Sequence, residues 1–244
     1  MLVFFIIGGI INMIKYFILS DIHARFDLLN EALNKACFDV ENKDHILIIS
    51  GDILDRGKQG DLVIRFIESL ILEKRVLAVL GNHDVFLKEI LENNINVDKI
   101  EFNILHNGFG ETLKLIKGID LNELTNESVK EYKNKFIEKY PIFTKWIKYL
   151  PLYLEFKNHV IVHAFLNFNL EDWRDTSIRY ATWSRDYKNK IPISFGKKLI
   201  FGHTPNILIN RKDDIIFDGY KIMIDGGAAI NHQINVLILT ENII

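Results

Sequence analysis

Ile46-Leu47-Ile48-Ile49-Ser50-Gly51-Asp52-Ile53-Leu54-Asp55-Arg56-Gly57 joins an apolar run of strand length to a loop holding two carboxylates, an arginine and two glycines. The run reads as a buried strand and the loop as the turn at its carboxyl end. The same arrangement recurs on either side. Tyr16-Phe17-Ile18-Leu19 leads into Ser20-Asp21-Ile22-His23, and Val76 to Leu80 leads into Gly81-Asn82-His83-Asp84. Apolar residues at helical spacing fill the gaps, at Leu28 to Cys37 and Leu62 to Leu72. Strand, helix, strand, helix, strand predicts an α/β fold with a parallel or mixed sheet and a ligand site at the strand ends.

Further along the chain, Val160 to Val162 ends in His163, and Leu199 to Phe201 ends in Gly202-His203-Thr204-Pro205. Ile222 to Ile224 and Val236 to Leu239 are two more short apolar runs, and hairpins are expected around Asp213-Asp214 and Asp218-Gly219. Between these halves, residues 86–150 are helical in pattern and rich in charge, with Asn126-Glu127-Ser128 as a helix start and Pro141 and Pro151 as breaks. This middle reads as a helical cap insertion over or beside the site.

The chain of 244 residues is 48% hydrophobic, with no linker to divide it, so residues 14–244 are expected to form one domain. A net charge of −2 provides no basic field for stable nucleic-acid binding. An anionic substrate must then be held locally. Cys37 is the single cysteine and cannot form an internal disulfide; it reads as a small buried residue of a protein in a reducing, cytoplasmic compartment. Residues 1–13 form an apolar extension without a positive flank or cleavage site. The extension is shorter than the roughly 18 residues of a membrane span. No membrane role is expected of it, and Met13 is an alternative start.

Five strand ends therefore deliver carboxylate, imidazole and amide groups to one sheet edge. Oxygen and nitrogen donors without a thiolate suit manganese, iron or zinc, and a bridging carboxylate would let them hold two ions. Attack on a phosphate must overcome repulsion between anionic substrate and nucleophile. Two divalent ions about 3.5–4 Å apart relieve it by binding phosphate oxygens and acidifying a shared water. Arg56 adds a planar fork of donors that fits phosphate oxygens.

The strings DIH, GDILDRG, GNHD and FGHTP, in this order, resemble the calcineurin-like metallophosphoesterases, and within them the phosphoprotein phosphatase branch. That branch includes bacterial serine/threonine phosphatases and symmetrical diadenosine tetraphosphate hydrolases. Leu105 to Leu113, Trp183-Ser184-Arg185 and Ile224-Asp225-Gly226-Gly227-Ala228 extend the likeness. The resemblance implies a four-layer α-β-β-α sandwich of two mixed sheets. It also implies that Asp21 and His23 bind one metal, that Asp52 bridges, and that Asn82, His163 and His203 bind the second. His83 would be the general acid, oriented by Asp55, while Arg56 and Arg185, with Asn82, would hold the phosphoryl group. Two manganese ions are the expected cofactor, with iron or zinc as substitutes. The expected reaction is phosphomonoester hydrolysis on phosphoserine or phosphothreonine. Its alternatives are symmetrical cleavage of dinucleoside tetraphosphates, removal of such caps from RNA, and an inactive metal-binding scaffold.

Three positions depart from the family pattern. Ala24 replaces a glycine at little cost, Asp84 stands for a glutamate outside the proposed metal shell, and Phe165 replaces a glycine and is expected to narrow or reshape the substrate pocket. His45, His106, His159 and His232 lack acidic neighbours in sequence and read as solvated or hydrogen-bonded. Phe143, Trp146 and Tyr149 lie at helical spacing and read as core or cap packing. Trp173 and Trp183 also read as packing, with the pocket rim as the alternative, and Lys130 to Lys139 reads as a solvated helix face.

Overall fold

The computed structural model describes residues 13–94, 96–120, 123–156 and 158–242, so the apolar extension lies outside the described residues up to residue 12. The strands are β1 (Met13–Leu19), β2 (His45–Ser50), β3 (Val76–Val79), β4 (Tyr153–Phe156) and β5 (His159–Val162). They continue with β6 (Lys198–Phe201), β7 (Ile216–Asp218), β8 (Lys221–Met223) and β9 (Leu237–Asn242). The helices are α1 (Phe26–Lys35), α2 (Gly60–Leu72), α3 (Asn82–Leu91), α4 (Val97–Asn107) and α5 (Gly110–Leu113). After them come α6 (Asn126–Lys139), α7 (Pro141–Lys148), α8 (Ile178–Trp183) and α9 (Asn206–Asn210).

The first sheet has the order β3-β2-β1-β9, parallel except for β9. The second has the order β4-β5-β6-β8-β7, with β5, β6 and β8 parallel and the antiparallel strands β4 and β7 at its edges. Alternation along each strand sorts side chains into layers. Phe17, Leu19, Leu47 and Ile49 face a helical layer that includes Ile64, Phe86, Phe136 and Phe143. Tyr16, Ile18 and Ile48 point the other way and meet Ile161, Ile200 and Ile222 of the second sheet. Val160, Val162, Leu199 and Phe201 face outward beneath α8 and its loops. The result is the expected four-layer sandwich of two mixed sheets. α3, α6 and α7 pack into the same core as α2 and the first sheet.

The apolar runs identified in the sequence all form strands, and the turn at Asp218-Gly219 joins β7 to β8. Edge strand β4 was not foreseen, because Tyr-Leu-Glu-Phe is too short and mixed to signal itself. No hairpin forms at Asp213-Asp214: α9 precedes it, and the loop is instead tied to the chain end, where Asn235 donates to the Asp213 carbonyl at 2.6 Å. Cys37 is exposed rather than buried. It sits just past the end of α1 with φ 58°, a left-handed turn position that directs its side chain away from the core. Phe143 and Trp146 pack as expected, but Tyr149, at the C-cap of α7, is 80% exposed.

The inter-sheet layer generates a stability prediction. Ile161→Ala removes a fully buried side chain from between the sheets and should cost about 2–5 kcal/mol. Ile193→Ala, at a residue 83% exposed, should cost almost nothing by the same urea-denaturation measurement.

Candidate active site

The carboxyl ends of β1, β2, β3, β5, β6 and β8 meet at one rim, where each strand gives way to a loop carrying polar side chains. Asp21, His23, Asp52, Arg56, Asn82, His83, Arg185 and His203 all line a single pocket of about 180 Å³. His163 is fully buried beneath it, its Nε2 3.4 Å from Asp52 Oδ2. Asp55 is buried behind His83. The nominated residues, from loops far apart in sequence, thus come together.

Asp52 is the centre of the cluster. Its Oδ2 lies 3.7 Å from His23 Nε2, 3.8 Å from His83 Nε2 and 3.4 Å from His163 Nε2. Two groups of donors with metal-ligand spacing share this carboxylate: His23 with His83, and His163 with His203. Asp21 also approaches His23, its Oδ1 4.0 Å from the same Nε2, and its Oδ2 accepts from the backbone N–H of His203 at 3.0 Å.

The imidazoles are oriented by main-chain carbonyls. His23 Nδ1–H donates to Leu54 O at 3.2 Å and His163 Nδ1–H to Ser50 O at 2.8 Å, while His203 is hydrogen-bonded to the Trp183 backbone. A carbonyl can only accept, so Nδ1 carries the proton in the first two and Nε2 presents a lone pair to the cluster. His163 Nε2 then faces Asn82 Oδ1 at 3.0 Å, acceptor against acceptor, an opposition that a cation between them would relieve. His203 Nε2 is buried with no hydrogen-bond partner.

Electrostatics point the same way. Burial, followed by the charges of Asp21 and Asp84, pushes the Asp52 carboxyl well above its ordinary range. Burial and Asp21 do the same to Asp225, a pocket residue. Burial pushes His23 and His83 well down, and burial with neighbouring His163 pushes His203 down to about 2. Close buried carboxylates beside neutral imidazoles form a donor set whose chemistry suits divalent cations. The residues present therefore fit divalent metal ions.

His83 is held differently. Its Nδ1–H donates to Asp55 Oδ2 at 2.6 Å, and its Nε2 accepts from the Arg56 guanidinium at 3.1 Å. Thr112 donates to the other oxygen of Asp55, and its main-chain carbonyl accepts from Tyr132 at 3.2 Å. Burial raises the Asp55 carboxyl to about 7 against the opposing Thr112 hydrogen bond.

Backbone geometry at this rim is strained. Asp21, His23, Ala24, Asp52, Asp55, Arg56 and His203 all adopt positive φ between 47° and 72°. Gly51, at φ +80°, has no room for a side chain: a Cβ would lie 2.6 Å from both Gly81 Cα and His163 Nδ1. Asp84 secures these loops. Its carboxylate accepts from the N–H groups of Asp52 at 2.8 Å, Ile53 at 3.0 Å and Gly81 at 2.9 Å.

The local pattern placed Asp84 outside the metal shell but gave no sign of its clamp, nor of the parts played by Thr112 and Asp225. Only Asp225 stood in a quoted loop after a strand, where its position signalled a site. Trp183 lines the pocket as well as packing on Phe86, 6.0 Å between ring centroids, whereas Trp173 packs under the second sheet. Phe165 does not narrow the pocket. It is buried against Phe201, on the far face of the second sheet.

Asp84→Ala would leave three buried N–H groups without an acceptor, each worth about 1–3 kcal/mol. A fall of several kcal/mol in unfolding free energy is expected from urea titration, against little change for the exposed Asp27→Ala.

The sequence profile of the calcineurin-like phosphoesterases matches residues 14–225. The asymmetrical bis(5'-nucleosyl)-tetraphosphatase PrpE of Oceanobacillus iheyensis is 26% identical over 212 residues, 78% of this chain and 77% of that protein. The symmetrical bis(5'-nucleosyl)-tetraphosphatase of Buchnera aphidicola subsp. Baizongia pistaciae is 45% identical over 75 residues, 31% of this chain and only 25% of that enzyme. Among solved structures, a cold-active protein-tyrosine phosphatase of a psychrophilic Shewanella superposes with a TM-score of 0.60 at 17% identity, covering 95% of this chain and 80% of its own. With a profile that matches most of its length, and with His and Asp groups that could hold metal ions at one sheet rim, the chain belongs to the calcineurin-like phosphoesterases.

Proposed function

We propose that this phosphoesterase uses two divalent ions to hydrolyse dinucleoside polyphosphates at a phosphoanhydride bond. The observation that carries the hydrolytic part is the position of Asp52 between His23 and His83 on one side and His163 and His203 on the other, in a pocket that also holds Asp21, Arg56 and Arg185. The nucleotide part is supported by the tetraphosphatase from Oceanobacillus, the relative aligned over 77% of its own length.

In this reading Asp21, His23 and Asp52 would hold one ion, and Asn82, His163 and His203, with Asp52, would hold the other. Manganese suits the mixed oxygen and nitrogen donors, and iron or zinc could replace it. When bound, such ions neutralise phosphate oxygens and lower the pKa of a coordinated water. Arg56 and Arg185 bind the phosphoryl oxygens from the protein side, Arg56 exchanging its hydrogen bond to His83 for one to substrate. Released from Arg56, His83 Nε2 takes up a proton from solvent as substrate binds; attack by water then forms the new P–O bond and gives the water's proton to solvent, the bridging P–O bond breaks, and the leaving oxygen takes the proton from His83 Nε2. Asp55 keeps His83 aligned through Nδ1, and Thr112 keeps Asp55 aligned in turn. The products are two phosphorylated nucleosides.

Phosphomonoesters, including phosphoserine and phosphothreonine, are the second reading. The pocket of about 180 Å³ has room for a phosphoryl group whatever it is attached to.

Two measurements test the proposal. Enzyme reloaded with manganese should contain about two ions per chain and lose turnover with a chelator. In a panel of diadenosine tetraphosphate, phosphoserine peptide and para-nitrophenyl phosphate, the dinucleotide should give the highest kcat/KM; a strong preference for the peptide would sink the nucleotide reading. His83→Ala should retain the ions but slow turnover of the dinucleotide by roughly a hundredfold or more. Undiminished turnover in that variant would remove His83 from the role of acid.

A further inference from the structure

The pocket opens sideways into a larger groove of about 1000 Å³, with which it shares Asn107, Trp183 and Arg185. Residues of α3 and α4 form one wall, and the segment from Ser177 to Asp186, which contains α8, forms the other. This volume lies at the upper end of the about 300–1,000 Å³ usual for small-molecule sites.

Two kinds of surface line it. Phe102 is 57% exposed and Trp183 41% exposed, so two aromatic side chains are open to an incoming ring. Arg179 and Arg185 are exposed, and neither forms an ion pair with a carboxylate among the described residues. The acids of the groove are already engaged. Glu89 accepts from Lys99 Nζ at 2.7 and 2.5 Å, and Asp186 accepts from the Tyr180 hydroxyl and from Ser184 Oγ at 2.9 Å. What remains for a ligand is positive charge beside aromatic surface, beginning where the reacting phosphoryl group would sit.

We infer that this groove holds the leaving nucleotide of a dinucleoside polyphosphate, with its base on Phe102 and its phosphate chain drawn to Arg179. The inference rests on the nucleotide reading above and extends it to a subsite. Aromatic side chains stack any base, and a free guanidinium suits a phosphate oxygen. An extended phosphopeptide is the poorer occupant, because no strand contributes to the groove walls and main-chain pairing has no edge to use. Arg185, shared between the two spaces, bridges the reacting phosphoryl group and the departing chain.

The test compares Phe102→Ala and Arg179→Gln with the manganese-loaded wild type. Each variant should lower kcat/KM for diadenosine tetraphosphate about tenfold, mainly through KM, while para-nitrophenyl phosphate, too short to enter the groove, is hydrolysed as before. Titration calorimetry with adenosine triphosphate should show a matching weakening of about tenfold, with inorganic phosphate binding unchanged. Equal loss on both substrates, or unchanged kinetics and unchanged triphosphate affinity, would overturn the subsite. So would loss confined to the phosphoserine peptide, which would make the groove a peptide channel. If the wild type hydrolyses no dinucleotide yet both variants bind the triphosphate more weakly, the subsite stands and the proposed reaction falls.

Discussion

The structure is governed by the burial of Asp21, Asp52 and Asp225 near one another at the end of two parallel strand sets. Taking carboxylates out of water is costly unless opposite charge meets them, and close like charges add to the cost. The protein surrounds them with imidazoles kept neutral by burial rather than with cations of its own. Arg56 and Arg185 line the pocket but are exposed, and the charge of Arg56 only partly offsets the burial of Asp52 and Asp55. Divalent ions complete such an arrangement, and the empty acceptor role of His203 Nε2 is one more expression of it.

Holding this cluster requires a rigid frame, because its loops adopt left-handed backbone at seven non-glycine residues. Each such conformation is unfavourable by itself and persists only where its surroundings enforce it. Three reinforcements are visible. The strands beneath are fixed by apolar layers on both faces, Asp84 ties the loops after β2 and β3 together, and Gly51 lets those loops approach closely. Asp84 contributes through geometry: its carboxylate, held by three backbone donors, aligns Asp52 through that residue's main-chain N–H.

The pocket core and its walls divide the work. With a net charge of −2, the chain has no long-range attraction for phosphates, so recognition falls to contacts within a few ångströms. The walls of the adjoining groove, supplied by α4 and by the segment around α8, carry aromatic and guanidinium groups, and under the proposal above they are where leaving groups would be told apart. Relatives that share the core and differ in these walls would share chemistry without sharing substrates.

Much of the site was legible in the sequence, for a local reason. Apolar runs such as Ile46 to Ile49 specify strands by themselves, and polar residues directly after a parallel strand fall at its carboxyl end; Asp21, Asp52, Asn82 and His203 needed no more than that to be placed on one rim. Edge strand β4 is too short and mixed to signal itself and forms only against β5, Cys37 is turned outward by the left-handed turn that ends α1, and the loop at Asp213 is held by Asn235 rather than by a hairpin partner. Asp84, Thr112 and Trp183 are ordinary residue types whose importance arises from what lies across the interface. Phe165 makes the contrast sharpest: its place after His163 suggested the pocket, but the loop after β5 breaks the strand's alternation, and the ring joins Val160 and Val162 against Phe201. Sequence determined which groups reach the rim, since that follows from strand and loop. The tertiary fold decided how they are oriented, tied down and walled, since those depend on contacts between segments more than a hundred residues apart, such as Ser50 with Val162 and His163.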